Sequence, residues 1–575
     1  MSSRSSFFAI FAPALLLVPM IMPGVAWMWH GSSLALLGER LLLGGVLIVF
    51  FLSLFRQFSK GVLLLLPFTL LAPWETFYIW SYGRPSSAHV LAIVAETDVR
   101  EATSYVQGLL WVFGSSFFLF VTAVFYFYSN GFDRQVWHEV WRRRILVLGG
   151  VAGLMISGAE VWYAQYDRAQ AEVLADRVIF TEVRSSPALQ LLRETYPFGL
   201  PIRVYDFLMQ KHMLRQAKMR LEDFEFSAKQ EGAAERREVY VLVIGESSRP
   251  DRWQLNGYER HTTPLLSETQ GVVSFSNMVS SWAWTSMSVP AILTRKPPED
   301  MRVFFEERSL ISAFREAGFH TYWLSTQSPL GPHDSSIALH AEEADVTRYI
   351  NPVDFRGSGL VDGKLLDELD LVLGQSVRKQ LVVLHTLGSH FNYADRYPDG
   401  FNVFRPALRS GQSMHDRALR LELGNAYDNS ILYTDFFLSE IIKRLESVGG
   451  LSSLFYVSDH GENLFDGQCL KSGHGHATEY DFRTAAIWWA SGSYRAMYPD
   501  KLNSVLQRAN SPLGTFNVFH SMLDLARIRY PSENLSLSIF SRQWTARARP
   551  LQNGLDFDES FSEPICKVLM PLVRQ

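Results

Sequence analysis

Val239-Tyr240-Val241-Leu242-Val243-Ile244 runs without a polar break and is followed at once by Gly245-Glu246-Ser247-Ser248-Arg249. Six apolar, β-favouring residues in a row suit a strand buried on both faces of a sheet. Similar short runs recur at residues 319–324, 381–384, 454–457 and 485–490. Helical patterns separate them, at residues 310–317 and 425–444. This alternation predicts an α/β domain with a mostly parallel sheet. Ligands of such sheets gather beyond the carboxyl ends of the strands.

The chemically suggestive residues fall at those ends. Glu246 follows the first strand, His385 and His390 end or follow another, and Asp459-His460-Gly461-Glu462 follows a third. Carboxylate oxygens and imidazoles at three strand ends suit a divalent cation, zinc above all. Between the first two strands lies Ser281-Trp282-Ala283-Trp284-Thr285-Ser286-Met287-Ser288-Val289-Pro290. A helix starting there would present its N-terminus to a phosphate, and a hydroxyl beside a metal becomes a usable nucleophile. Spacing alone does not choose among Thr285, Ser286 and Ser288. Simple helix capping explains the same hydroxyls without any chemistry.

Upstream of residue 165 the composition changes. Five stretches are apolar enough to cross about 30 Å of hydrocarbon, which takes roughly 20 helical residues: 7–29, 34–55, 62–83, 105–128 and 145–164. Arg4 ahead of the first imitates a signal peptide, but four further spans follow and the apolar run is long for one. Arg4, Arg56 with Lys60, and Arg134 with Arg142, Arg143 and Arg144 lie in alternate connections. The bias of Arg and Lys toward the cytoplasm puts the N-terminus inside and everything after span five outside. Glu39, Arg40, Glu75 and Glu160 sit near predicted span ends, where interfacial snorkelling is the plain reading. The chain thus divides into a transmembrane domain (1–164), a polar juxtamembrane bridge (165–238) with an amphipathic pattern at 203–224, and a soluble domain (239–575).

Composition closes other routes. With 54 basic and 58 acidic side chains, net charge −4, nothing favours a nucleic-acid partner. Two cysteines, Cys469 and Cys566, exclude a disulfide-dense scaffold and an all-cysteine zinc site, and leave one disulfide or none. An aromatic content of 13% with no sustained repeat excludes collagenous and wholly disordered chains.

The ordered set GESSRPDRWQLNGYERHTTPLL (245–266), WTSMSVP (284–290), LHTLGSHFNYADRYP (384–398), AYDNSILYTD (426–435) and YVSDHGENLF (456–465), behind five spans, resembles the membrane-anchored phosphoethanolamine transferases. These form part of the alkaline phosphatase and sulfatase superfamily, and include lipopolysaccharide-core and lipid A enzymes. The resemblance implies that Glu246, Asp459 and His460 hold one tightly bound zinc, with a second left open, and that Thr285 is the nucleophile and a metal ligand. It implies pocket histidines at His390 and, in Ser472-Gly473-His474-Gly475-His476, at His474, with His476 as its rival. Thr97 and Glu101 match polar contacts to the lipid head group, although Ile93 stands where some relatives carry a polar residue. Ser281 replaces a cysteine found in several lipid A enzymes, so the cysteine-poor core-type enzymes fit better.

The implied reaction has two displacements. Thr285 takes phosphoethanolamine from phosphatidylethanolamine, diacylglycerol leaves with a proton from His390, and a lipopolysaccharide-type acceptor then receives the group. The expected setting is a monomer in the bacterial inner membrane, its catalytic domain periplasmic. Rival readings are a glycerophosphate transferase of the lipoteichoic acid type, a modifier of another periplasmic glycan, a water-using phosphodiesterase or sulfatase, and a scaffold with a decayed site.

Overall fold

The computed structural model describes residues 18–27, 34–82, 85–86, 90–91, 110–130, 137–171, 187–232, 235–298, 307–327, 336–351, 361–409, 412–552, 554–561 and 566–568. They form two units, Met1–His212 and Met213–Gln575.

In the second unit the quoted run is a strand, β1 (Glu238–Gly245). Its neighbours are β2 (Val273–Phe275), β3 (His320–Ser325), β4 (Val346–Tyr349), β5 (Lys379–His385), β6 (Leu451–Ser458) and β7 (Ala486–Ala490). They make one sheet in the order β2-β7-β6-β1-β5-β3-β4. β1 lies at the centre, and the alternation of its side chains explains why it reads as continuously apolar. Tyr240, Leu242 and Ile244 pack into one hydrophobic cluster, while Val239, Val241 and Val243 pack into the other.

The sheet is mostly parallel, as expected, with one strand reversed. β7 runs antiparallel to both β6 and β2, whereas β1 is parallel to β5 and β6, and β3 to β4 and β5. A parallel strand needs a crossover to bring the chain back to its starting edge. The segment after β6 instead leaves and re-enters at one end, where Ser458 N donates to Ala485 O at 2.9 Å, so the next strand must run backwards. The short strands β2 and β4 fell outside the sequence reading for want of enough apolar residues to signal.

Long helix Arg420–Val448, buried along much of its length, covers the Val239–Val243 face. Helices Leu310–Glu316 and Asn517–Leu525 pack on the other. Cys469 and Cys566 form a disulfide across 97 residues of sequence, with Cα atoms 4.8 Å apart.

The first unit holds helices at Leu34–Ser53, Phe58–Tyr82, Leu110–Asn130 and Glu139–Ala171. Among the described residues, the stretch Lys60–Trp80 is long and apolar enough to cross a membrane, and Arg40–Ser53 and Trp111–Thr122 are shorter apolar helices. Glu75 does not snorkel. It is 1% exposed, and Arg203 Nη1 lies 2.5 Å from its Oε1 while Ser86 Oγ donates to Oε2 at 2.6 Å. A carboxylate withdrawn from water needs such partners. Arg40 likewise pairs with Glu194 at 2.6 Å and lies over the Trp27 ring.

Candidate active site

Sheet order explains why residues 39 to 214 positions apart meet. Because β1 lies between β6 and β5, with Ile244 level with both Val457 and His385, three strand ends open on the same edge. Glu246 leaves the end of β1, and Asp459-His460 leaves the end of β6, anchored by Asp459 N donating to Gly245 O at 3.1 Å. The loop after β5 folds onto Glu246, with Ser389 N donating to its carbonyl at 2.9 Å. That approach requires Gly388, since a Cβ there would stand 2.7 Å from Glu246 N.

The fourth component is the helix Thr285–Leu293, whose first residue is Thr285. Its hydroxyl Oγ1 lies 3.2 Å from Glu246 Oε2, 3.4 Å from Glu246 Oε1 and 3.3 Å from His460 Nε2. Ser286 and Ser288 do not share this position. Ser288 is fully buried and donates to Trp282 O, and the Ser286 carbonyl receives Ser336 Oγ. Position on the helix, which spacing alone left open, thus separates the Thr285 hydroxyl from that of Ser288.

Glu246, Asp459 and His460 are all buried and each offers a ligand atom, all within 4.8 Å of one another. Three observations fit this cluster to a divalent cation. Asp459 Oδ2 is buried and makes no hydrogen bond, lying 3.3 Å from His460 Nε2. His460 Nδ1 donates to Gly461 O at 2.8 Å, which leaves the Nε2 lone pair directed at the two carboxylates and fixes the ring as metal-binding histidines are fixed. Glu246 is held well above the usual carboxylate range, first by burial and then by the charge of Asp459, a cost that a cation would remove.

His474 stands beside this cluster, its ring centroid 4.3 Å from that of His460 and its Nδ1 3.3 Å from Glu462 Oε2. The rival His476 is turned elsewhere, its Nε2 donating to Ser472 O at 2.9 Å. Burial holds His474 down at about 4 and pushes Glu462 up to about 8. His390 donates from Nδ1 to Phe391 O at 2.7 Å, and burial, then Arg396 and His474, hold it well below its usual value. The carbonyl contact makes Nδ1 the donor to the backbone and leaves Nε2 as the atom that exchanges a proton with a bound group. Thr97 and Glu101 lie outside the described residues.

A sulfatase family profile matches residues 238–528, half of the chain. The chain belongs to the sulfatase family. Within that family it is 27% identical over 324 residues to phosphoethanolamine transferase EptC of Escherichia coli K12, covering 54% of this chain and 55% of that one. It is 29% identical over 265 residues to the Kdo(2)-lipid A phosphoethanolamine 7''-transferase of the same organism, 44% of each chain. The chain spans about half the length of the curated relatives it matches. Among solved structures, the C-terminal periplasmic domain of Escherichia coli EptC in complex with zinc aligns at 26% identity with a TM-score of 0.51, over 58% of this chain and 95% of that one. The integral membrane phosphoethanolamine transferase EptA of Neisseria meningitidis shares the fold over 92% of this chain and 97% of its own, at TM-score 0.65 and 19% identity.

The sulfatase-type site also contains residues that sequence reasoning passed over. Ser247 Oγ donates to Glu246 Oε1 at 2.9 Å, and Gln327 Nε2 donates to Glu246 Oε2 at 3.3 Å and to Thr386 O at 3.0 Å. Trp284 packs edge-on to His474 at 5.6 Å. Glu462 was in view within Ser458-Asp459-His460-Gly461-Glu462, and its nearness to His460 was the usable signal. Gln327 carried none, since a lone glutamine after a strand is ordinary.

Proposed function

We propose that this sulfatase-family protein is a zinc-dependent phosphoethanolamine transferase. On this reading it moves phosphoethanolamine from phosphatidylethanolamine to a lipopolysaccharide-type acceptor and releases diacylglycerol. The observation that carries the reading is Thr285 Oγ1 within 3.4 Å of both Glu246 and His460 at a helix N-terminus. The names of the relatives supply the transferred group.

Zinc held by Glu246, Asp459 and His460 would lower the pKa of a neighbouring hydroxyl and draw charge from a phosphoryl oxygen. Thr285 Oγ1 passes its proton to Glu246 Oε2, 3.2 Å away, and attacks phosphorus. The bond to Thr285 forms as the bond to the diacylglycerol oxygen breaks. That oxygen takes a proton from His474, which Glu462, protonated at neutral pH, replaces through Nδ1. In the second displacement His390 Nε2 takes the acceptor's proton while Thr285 regains its own from Glu246. Exchange with solvent then returns the His390 proton to the Glu462–His474 pair. Peptide N–H groups of the Thr285 helix face the phosphoryl oxygens. Thr97 and Glu101 contact the ammonium head group, for which a carboxylate is a suitable partner.

The same reading places the chain in the bacterial inner membrane with five spans and a cytoplasmic N-terminus. The apolar helix Lys60–Trp80 and the alternation of basic connections support it. The Cys469–Cys566 disulfide suits an oxidising periplasm.

The test is release of diacylglycerol from head-group-labelled phosphatidylethanolamine, with the intact mass of wild type and Thr285→Ala. The expected result is release with a phosphoethanolamine adduct, both absent in the variant and in chelator. No release and no adduct with zinc supplied would sink the donor assignment.

A further inference from the structure

We propose that Tyr427, on the helix Arg420–Val448, is a positioning residue for the metal-binding cluster. The proposal rests on the reading that Glu246, Asp459 and His460 hold a divalent cation. Tyr427 is fully buried, and its hydroxyl does two jobs at once. It donates to Ser247 O at 2.6 Å and accepts from Arg249 N at 2.9 Å, so it bridges the two ends of the turn that follows Glu246.

That turn is where the geometry is demanding. Ser247 has φ +54°, a left-handed conformation that residues with a Cβ adopt rarely. The conformation brings Ser247 N to Asp459 Oδ1 at 3.0 Å and Ser247 Oγ to Glu246 Oε1 at 2.9 Å. One residue thereby holds two of the three metal-ligating side chains, and Tyr427 holds that residue. Without the hydroxyl, the Ser247 carbonyl and the Arg249 N–H would lose their shared partner inside the protein, and both residues are buried. The turn would relax toward ordinary φ and swing Ser247 N away from Asp459.

Tyr393 provides an internal comparison. Its ring meets that of Tyr427 edge-on at 5.1 Å, it is equally buried, and its hydroxyl makes no hydrogen bond. Losing that hydroxyl disturbs packing in the same cluster without touching the turn.

The experiment is a zinc titration of the full-length protein in lipid nanodiscs against a chromophoric chelator, for wild type, Tyr427→Phe, Tyr393→Phe, Ser247→Gly and the Ser247→Gly/Tyr427→Phe double variant. Removing a group that orients metal ligands typically weakens binding ten- to a hundredfold. Tyr427→Phe should raise the zinc Kd by roughly that factor, and Tyr393→Phe should leave it unchanged. Glycine adopts the left-handed φ unaided, so loss of the Tyr427 hydroxyl should cost less zinc affinity in the Ser247→Gly background. If Tyr427→Phe alone does not accumulate, recovery of a folded, zinc-binding protein in the double variant supports the proposal, and failure of the double variant to recover overturns it. Equal zinc affinity of Tyr427→Phe and wild type would overturn the proposal, as would equal weakening by Tyr393→Phe. If wild type binds no zinc, the metal reading itself falls and takes this inference with it. Wild-type binding without a Tyr427 effect overturns the inference alone.

Discussion

The hydroxyl of Thr285 stands 3.2 Å from the carboxylate of Glu246, although one begins a helix and the other follows a strand. Neighbouring Ser288 is fully buried and spends its hydroxyl on Trp282 O. Thr285→Ala should therefore lower transfer by roughly a thousandfold or more, as loss of a covalent nucleophile does. Thr285→Ser, which keeps the oxygen, should retain a measurable part of it. Initial rates of diacylglycerol release compare the two, and equal loss in both would argue against attack by Oγ1.

Glu246→Gln keeps the volume and removes the charge from a buried group placed to share a cation with Asp459 and His460. Zinc affinity should fall by more than about 100-fold, beyond the effect of changing a supporting residue. Zinc retained per protein molecule after dialysis against graded chelator reads this directly. Chelation should abolish activity and added zinc should restore it.

Burial, with Arg295 and Arg547 adding to it, holds His520 down at about 4. A folded-state value below the unfolded 6.5 means that the unfolded chain binds the proton first. This contribution to stability is complete above about pH 6.5 and is lost as pH falls toward 4. His520→Gln should flatten the acid side of the stability curve by about 1.4 kcal/mol per pH unit in that window. Thermal midpoints at pH 7 and pH 5 should lie closer together in the variant than in wild type.

The Cys469–Cys566 bridge closes a long loop. Replacing both cysteines by serine should cost roughly 2–5 kcal/mol through the freedom returned to the unfolded chain. The melting temperature should drop under oxidising conditions, and reductant should lower that of wild type but not that of the variant.

In the first unit, Arg203→Met would leave Glu75 buried beside Ser86 with its cationic partner gone. Loss of one member of a buried pair costs roughly 3–5 kcal/mol. Glu75→Gln/Arg203→Met should recover most of it, as thermal unfolding in nanodiscs would register.

Much of the site was legible in the chain because its residues announce themselves locally. A strand that is apolar at every position says it is buried on both faces, and the polar residues just after it then have one place to be. Glu246, Asp459 and His460 were visible in this way, and the resemblance to a known family separated Thr285 from two neighbouring serines. Glu75 was misread as interfacial because its partner Arg203 lies 128 positions away.

By itself the sequence determined the element types, the metal-suited chemistry at the strand ends and the apolar first third, since each depends on residues near one another along the chain. Tertiary structure alone decided the rest. It set the place of β1 between β5 and β6, the reversal of β7, the pairing of the cysteines, the nearness of the His474 ring to His460 and the reach of the Tyr427 hydroxyl to Ser247. Strand pairing and hydrogen-bond partnership are settled by groups far apart in sequence competing for the same buried donors and acceptors, and no local pattern records which of them meet.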